Sequence, residues 1–316
     1  MATTEKKQYT GDLRLRQPEK NVIRPFVKWA GGKKQLLPEI HKRYPKELGK
    51  NINKYAEPFV GGGAVLFDVL SNFELDEIYI NDINKELIDT YTTIRDNSED
   101  LIDTLLELEQ KYLPLEKKAR EELYYEKRER YNKIKSIRTP NKVELSSLFI
   151  FLNRICFNGL HRVNSKGEFN VPHGTYKNPR ICDTDNIKNI SSSLKNVEIA
   201  CGDYRKSSSF IDENTFVYFD PPYRPINQTS YFTAYSENQF NDDEQKTLAD
   251  YVKTIADVGA KTMVSNSDPK NYSDDDFFDV IYSGFIIERV SASRFINSDI
   301  KKRGKINELL IRSYEI

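Results

Sequence analysis

The sequence predicts an α/β chain with a doubly wound, mostly parallel sheet, interrupted by an inserted domain of helices and a β-hairpin. Strand, glycine turn and helix follow one another in Lys54 to Phe67 (KYAEPFVGGGAVLF), and a second strand, Glu77 to Ile80 (EIYI), runs into the helical stretch NDINKELIDTYTTIRDN. Further apolar strand candidates stand at Val197 to Ala200, Phe216 to Phe219, Lys261 to Val264 and Ile306 to Ile311. Most of the core therefore comes from the two ends of the chain.

Between these groups, residues 99–139 are dense in Glu, Lys, Arg and Leu with little Gly or Pro, which suits solvated helices with i to i+4 charge pairs. Such helices serve equally as a plain insert or as a DNA-contacting face. The following stretch, FLNRICFNGLHRVNSKGEFNVPHGTYKNP, alternates polar and apolar residues around Ser-Lys-Gly and reads as a β-hairpin rather than a helix. The expected division is a polar, disordered segment 1–20, a core domain of 21–98 and 191–316, and an insert of 99–190.

With 316 residues the chain can bury one large core and still carry the insert. Its 48 basic residues balance 48 acidic ones, so net charge points to no partner and any nucleic-acid face must come from local clustering. No apolar run nears the roughly 18 to 20 residues of a membrane span, and the first twenty residues lack an apolar signal-type segment. A soluble, cytoplasmic protein without a membrane partner is expected. Cys156, Cys182 and Cys201 lack paired spacing and form no ligand pattern with His41, His161 and His173, so neither disulfide nor metal is expected.

Two short segments carry chemistry. In YAEPFVGGGAVLF the strand ends at Glu57 and Pro58, and three glycines allow a ligand to approach the turn closely before a helix whose N-terminus favours a carboxylate. Asp82, at the end of EIYI, suits hydrogen bonds from ribose hydroxyls. The chain has no phosphate-loop GxxxxGK[ST] and no strict dinucleotide glycine spacing, which favours an adenosyl ligand over ATP or NAD.

The second segment is Asp220-Pro221-Pro222-Tyr223, directly after the strand-like FVYF. Two prolines remove main-chain donors and stiffen the loop at a strand's C-terminal end. An exocyclic amine of adenine or cytosine is a poor nucleophile because its lone pair is delocalised into the ring. The Asp220 carboxylate and the Pro221 carbonyl would accept its two N–H groups, and Tyr223 would offer a ring face to an unstacked base. The absence of a GxSxG elbow disfavours a serine hydrolase, and no carboxylate–lysine cluster suits a metallonuclease.

With these motifs, the chain resembles the Dam and DpnII-type DNA adenine N6-methyltransferases from Phe26 to Leu310, in their α order of motifs. FVKWAGGKKQLLPEI is similar to the family's N-terminal cofactor motif, EPFVGGGAVLF to its glycine loop, NDIN to its ribose-binding acid and DPPY to its catalytic motif. The resemblance implies a Rossmann-like methyltransferase domain using S-adenosyl-L-methionine. Trp29, Ala30, Gly31, Lys33, Glu57, Phe59, Gly61, Asp82, Asp203 and Asp220 would line its cofactor site. Trp29 and Phe59 also suit ordinary core positions.

NRICFNGLHRVNSKGEFNVPHG is similar to the segment through which GATC-specific members read duplex DNA. By that resemblance Phe157 would wedge into the base stack and Arg162 would take O6 and N7 of a guanine, a phosphate contact being the plainer alternative. Asn158, Leu160 and Pro172 would contact further bases, and Lys28 the outer guanine. Arg294 and the basic run Lys301 to Lys305 would lie near phosphates, a solvated surface being the alternative for the run. The chain departs from the common pattern with Phe157 where tyrosine is frequent, and with His161 and His173 at variable positions. VSNSD and SASRFINSDIKKRGKINELLI resemble later family segments. Other readings left open are another short adenine-containing site, N4-cytosine methylation and a catalytically inert DNA-binding module. A cognate restriction endonuclease acting separately is a compatible partner, and the sequence does not specify oligomeric state.

Overall fold

The computed structural model describes residues 23–224, 240–293 and 305–316. The segment 1–20 expected to be disordered lies outside them. The described residues open with α1 (Leu37–His41), then β1 (Lys54–Glu57), α2 (Ala64–Asn72), β2 (Glu77–Asp82) and α3 (Lys85–Asp96). The helices α4 (Ser98–Tyr112), α5 (Lys117–Lys135), α6 (Lys142–Ile155) and α7 (Thr184–Ser193) follow. The chain then returns to the sheet through β3 (Val197–Cys201), β4 (Thr215–Phe219), α8 (Asp242–Asp257), β5 (Lys261–Ser267), α9 (Phe277–Ile281), β6 (Ile286–Ser293) and β7 (Lys305–Arg312).

Among the described residues these strands make one sheet of seven, in the order β3-β2-β1-β4-β5-β7-β6. The first five strands in that order run parallel, and β7 pairs antiparallel with both β5 and β6. Parallel strands covered on both faces are apolar throughout, and all five residues of β4 (TFVYF) are buried. Alternate side chains enter opposite layers: Tyr55, Phe216 and Tyr218 join one core, while Ala56, Val217 and Phe219 join the other. The strand order reverses between β1 and β4, which places the ends of Glu57 and Phe219 side by side at a topological switch point.

Asn84 caps α3 by accepting from the Leu87 N–H, and Asn141 caps α6 by accepting from the Glu144 N–H. Every residue from Leu145 to Asn153 in α6 is buried, as a helix surrounded by neighbours requires. Its core continues without a break into that beneath the sheet. Here the structure corrects the hairpin expectation. Phe151 to Ile155 complete α6, and Phe157–Gly159 form a single 3-10 turn with Asn158 in the left-handed region at φ 54°. Asn153 and Arg154 break the apolar run into an apparent alternation, but Asn153 is buried and continues the helix. The hairpin itself is short. Val163 and Phe169 pair as an antiparallel bridge, and the Asn164 side chain accepts the N–H groups of Lys166 and Glu168 across the tip.

Strand β6 (IIERVSAS) is an element that sequence reasoning missed. It is an edge strand, and its charged pair is engaged: Glu288 binds Arg43 and Arg312, and Arg289 binds Asp268 and Asp279. No helix among the described residues is long and apolar enough to cross a membrane.

Candidate active site and DNA interface

The glycine turn after β1 is shaped by its neighbours. Gly63 caps α2 in the left-handed conformation at φ 75°, and a Cβ there would collide with the Tyr91 hydroxyl, which donates to the Gly61 carbonyl at 3.0 Å. A Cβ on Gly61 would stand 3.0 Å from Cδ1 of Trp29. Asn81, fully buried at the end of β2, donates to the carbonyls of Pro58 and Gly202 and so ties three loops together. Asp82 Oδ2 accepts the Gly61 N–H at 3.0 Å and Oδ1 accepts the Asn84 N–H at 2.9 Å. Burial raises the Asp82 carboxyl above its ordinary range, against the pull of these backbone donors.

Phe59 stacks on Tyr204 with centroids 5.3 Å apart and meets Phe240 edge-on. Asp203 is exposed and held in a fork by Arg205, at 2.8 Å on each oxygen, which lowers its carboxyl below the usual range. Trp29 lies between the glycine turn and His161, its ring stacked on the imidazole at 5.3 Å. Ala30 and Gly31 are exposed, and the Gly31 carbonyl accepts from Lys33 Nζ at 2.8 Å.

Lys33 is the bridge to the DPPY loop. It is 5% exposed and its ammonium lies 2.6 Å from Asp220 Oδ1 and 4.6 Å from the Tyr223 ring centroid. The same Asp220 oxygen accepts from Ser265 Oγ at 3.0 Å, whereas among the described residues nothing donates to Oδ2. Burial raises the Asp220 carboxyl, and the charge and hydrogen bond of Lys33 are the main opposing influences. Pro222 is tied down through its carbonyl, which accepts from Gln245 Nε2 at 3.0 Å; no described residue donates to the Pro221 carbonyl. The Tyr223 hydroxyl donates to Glu308 at 2.8 Å.

Ser265, Gln245 and Glu308 were not singled out as site residues by sequence reasoning. The available signal was polarity where a strand should be apolar, since Ser265, Asn266 and Ser267 are all buried at the end of β5. Buried polar groups need partners.

Glu57 completes the group. Burial pushes its carboxyl well above the ordinary range, the Asp220 charge adds to this, and the Tyr55 hydroxyl at 2.7 Å and the Lys33 charge oppose it. A carboxyl raised in the fold contributes stability that is complete below its unfolded pKa and is lost as pH rises through the folded one. Glu57→Gln should therefore melt above the parent at mildly alkaline pH, with the gap shrinking on acidification in melts of ligand-free protein. A gap that widened on acidification would mean that Glu57 is ionised in the fold.

The residues expected to meet DNA gather around the end of α6. Asn153, buried, accepts the Lys28 N–H at 2.7 Å and donates to the carbonyls of Lys28 and Gly159. Lys28 Nζ lies over the Tyr176 ring at 3.9 Å. Phe157 is 51% exposed and Leu160 is 39% exposed. The Phe157 N–H donates to the Pro172 carbonyl at 2.9 Å, and Asn158 is exposed in its left-handed turn. Arg162 donates through Nε to Asn170 Oδ1 at 2.7 Å. Arg294 and Lys301 to Arg303 lie outside the described residues.

Comparison with known proteins agrees over most of the chain. The family model for the D12 class N6 adenine-specific DNA methyltransferase matches residues 29–296. Type II methyltransferase M.MjaIII of Methanocaldococcus jannaschii is 48% identical over 294 residues, spanning 92% of this chain and 99% of that protein. Type II methyltransferase M1.LlaDCHI of Lactococcus lactis subsp. cremoris is 36% identical over 304 residues, 96% and 99% of the two chains. The DNA adenine methylase of Haemophilus influenzae is 36% identical over 288 residues, 91% and 92% of the two. A likeness that runs from Trp29 against the glycine turn to well beyond the DPPY loop makes the assignment plain: the chain belongs to the D12 class of N6 adenine-specific DNA methyltransferases.

Proposed function

We propose that this enzyme methylates the N6 amine of an adenine flipped out of duplex GATC, working in the cytoplasm with S-adenosyl-L-methionine as methyl donor. The observation that carries the chemistry is the pair of acceptors, Asp220 Oδ2 and the Pro221 carbonyl, that no described residue fills on a loop otherwise tied down. Accepting both amine N–H groups localises the nitrogen lone pair and turns it toward the methyl group. Lys33 and Ser265 hold the carboxylate by its other oxygen, so little reorganisation is needed at the moment of reaction. Tyr223, anchored by Glu308, steadies the unstacked base.

The residues fit the donor. Each Asp82 oxygen holds one backbone N–H and keeps a second lone pair for a ribose hydroxyl. Gly61 lets the Trp29 ring close against the turn, Phe59 offers an aromatic surface, and Lys33 with the α2 N-terminus favours a carboxylate. Trp29, Ala30, Gly31, Glu57, Asp203 and Asp220 complete the lining. When bound, S-adenosylmethionine supplies the methyl group on a cationic sulfur.

Residues 99–190 form the target-recognition unit beside the catalytic domain of 21–98 and 191–316. Phe157 enters the base stack, Arg162 reads a guanine through its fork, and Lys28 meets the outer guanine. Asn158, Leu160 and Pro172 contact neighbouring bases, and Arg294 a phosphate. A restriction endonuclease acting separately on the same sequence fits as a partner.

The test incubates the protein with labelled S-adenosylmethionine and matched duplexes carrying GATC or a scrambled site, then identifies the modified nucleoside. N6-methyladenine confined to the GATC duplex is expected. Equal methylation of both duplexes would reject the site assignment and keep the chemistry.

A further inference from the structure

The second arm of the reading hairpin is bonded along both edges, but only one edge faces another strand. Its even-numbered residues pair with the first arm: the Asn170 N–H donates to the Arg162 carbonyl at 3.1 Å, and the Asn164 N–H to the Glu168 carbonyl at 2.9 Å. The odd-numbered residues pair with side chains of α5. Lys135 Nζ donates to the Gly167 carbonyl at 2.9 Å, and Tyr124 Oη and Arg128 Nη1 donate to the Val171 carbonyl at 2.7 and 3.2 Å. Between them, the Asn132 carboxamide both donates to the Phe169 carbonyl at 3.0 Å and accepts the Phe169 N–H at 2.8 Å. That two-bond exchange is what a paired residue of an antiparallel strand would make.

The two periodicities are compatible. Gly167, Phe169 and Val171 repeat at roughly 6.6 Å along an extended chain, while their partners Lys135, Asn132 and Arg128 are three and four residues apart on α5, rising roughly 4.5 and 6.0 Å; the long Lys135 and Arg128 side chains span the difference, so one helix face reaches three alternate positions. A two-stranded hairpin alone is marginal in water. A slip of one residue would turn every side chain to the opposite face.

We propose that α5 stands in for a third strand beside the hairpin, and that Asn132 is the positioning residue that fixes its register and, through it, the guanidinium of Arg162. The line is short: Asn132 holds Phe169, and the next residue, Asn170, takes Arg162 Nε on its side chain and Nη2 on its carbonyl. Lys135 fastens the tip to the body through its ion pair with Glu86 at 2.6 Å, in the first turn of α3. The proposal rests on the reading that this hairpin recognises GATC.

Steady-state methylation by Asn132→Ala and Arg162→Ala, on a GATC duplex and on one with a single guanine changed to adenine, tests it. Asn132→Ala should lower kcat/KM on GATC about tenfold, the loss expected for an ordinary hydrogen-bonded pair, through KM with kcat near the parent's. The rate on the altered duplex and the affinity for S-adenosylhomocysteine should stay unchanged, so discrimination falls. Asn132→Asp, which keeps the acceptor and loses the donor, should fall between. If Asn132→Ala does not fold, Lys135→Met gives the same readout from the tip. A loss of discrimination in Arg162→Ala without one in Asn132→Ala, or an equal fall on both duplexes in Asn132→Ala, overturns the proposal alone. Unchanged discrimination in Arg162→Ala overturns the GATC reading and the proposal with it.

Discussion

Replacing Asp220 by Ala is expected to lower kcat by at least about a thousandfold, the upper range for removing one preorganised polar group beside a reacting atom, while a GATC duplex still binds. The same change strips Lys33 of its 2.6 Å partner. An ammonium 5% exposed and left unpaired costs about 3 to 5 kcal/mol, so Asp220→Ala should also melt well below the parent. Stability and chemistry are separated by adding Lys33→Met to Asp220→Ala. The double variant removes the orphaned charge and should recover most of the lost melting temperature without recovering turnover. Asp220→Asn, which nearly keeps the shape and can still accept from Ser265, should likewise bind DNA and fail to methylate. Single-turnover rates within tenfold of the parent in either Asp220 variant would remove the carboxylate from the mechanism.

The difference between what the residues announce and what only the fold reveals follows range of interaction. The glycine turn and DPPY were legible because Gly and Pro act on their own backbone, and β4 because a strand covered on both faces is apolar without a break. The end of α6 was hidden because Asn153 and Arg154 among apolar residues imitate alternation, although Asn153 is buried in the helix. Strand β6 escaped because Glu288 and Arg289 interrupt it, and both charges are explained only by partners distant in sequence, among them Arg43. Lys33 and Asp220 were each recognisable by motif, but their pairing was not, nor were the contacts of Asp220 with Ser265 and of Tyr223 with Glu308. Chemistry carried by one segment is visible in order along the chain. The supports that orient it come from β5, from β7 and from the segment before α1, which are distant in sequence and meet the DPPY loop only in the fold.

Lys33→Met is expected to move the acid limb of the kcat profile to higher pH, because a neighbouring opposite charge favours the ionised form of a carboxyl. In the proposed mechanism Asp220 accepts the amine N–H as a carboxylate. Burial works against that form, and the charge and hydrogen bond of Lys33 are the largest influences restoring it. Without the ammonium the carboxyl rises further, and activity returns as pH is raised. Lys33→Arg keeps a cation in place and should leave the limb closer to the parent's. The measurement is kcat against pH at saturating DNA and S-adenosylmethionine, so that weaker donor binding does not imitate the shift. A profile lowered at every pH with its acid limb unmoved would mean that Lys33 serves the methyl donor alone and that Ser265 suffices to hold Asp220 ionised.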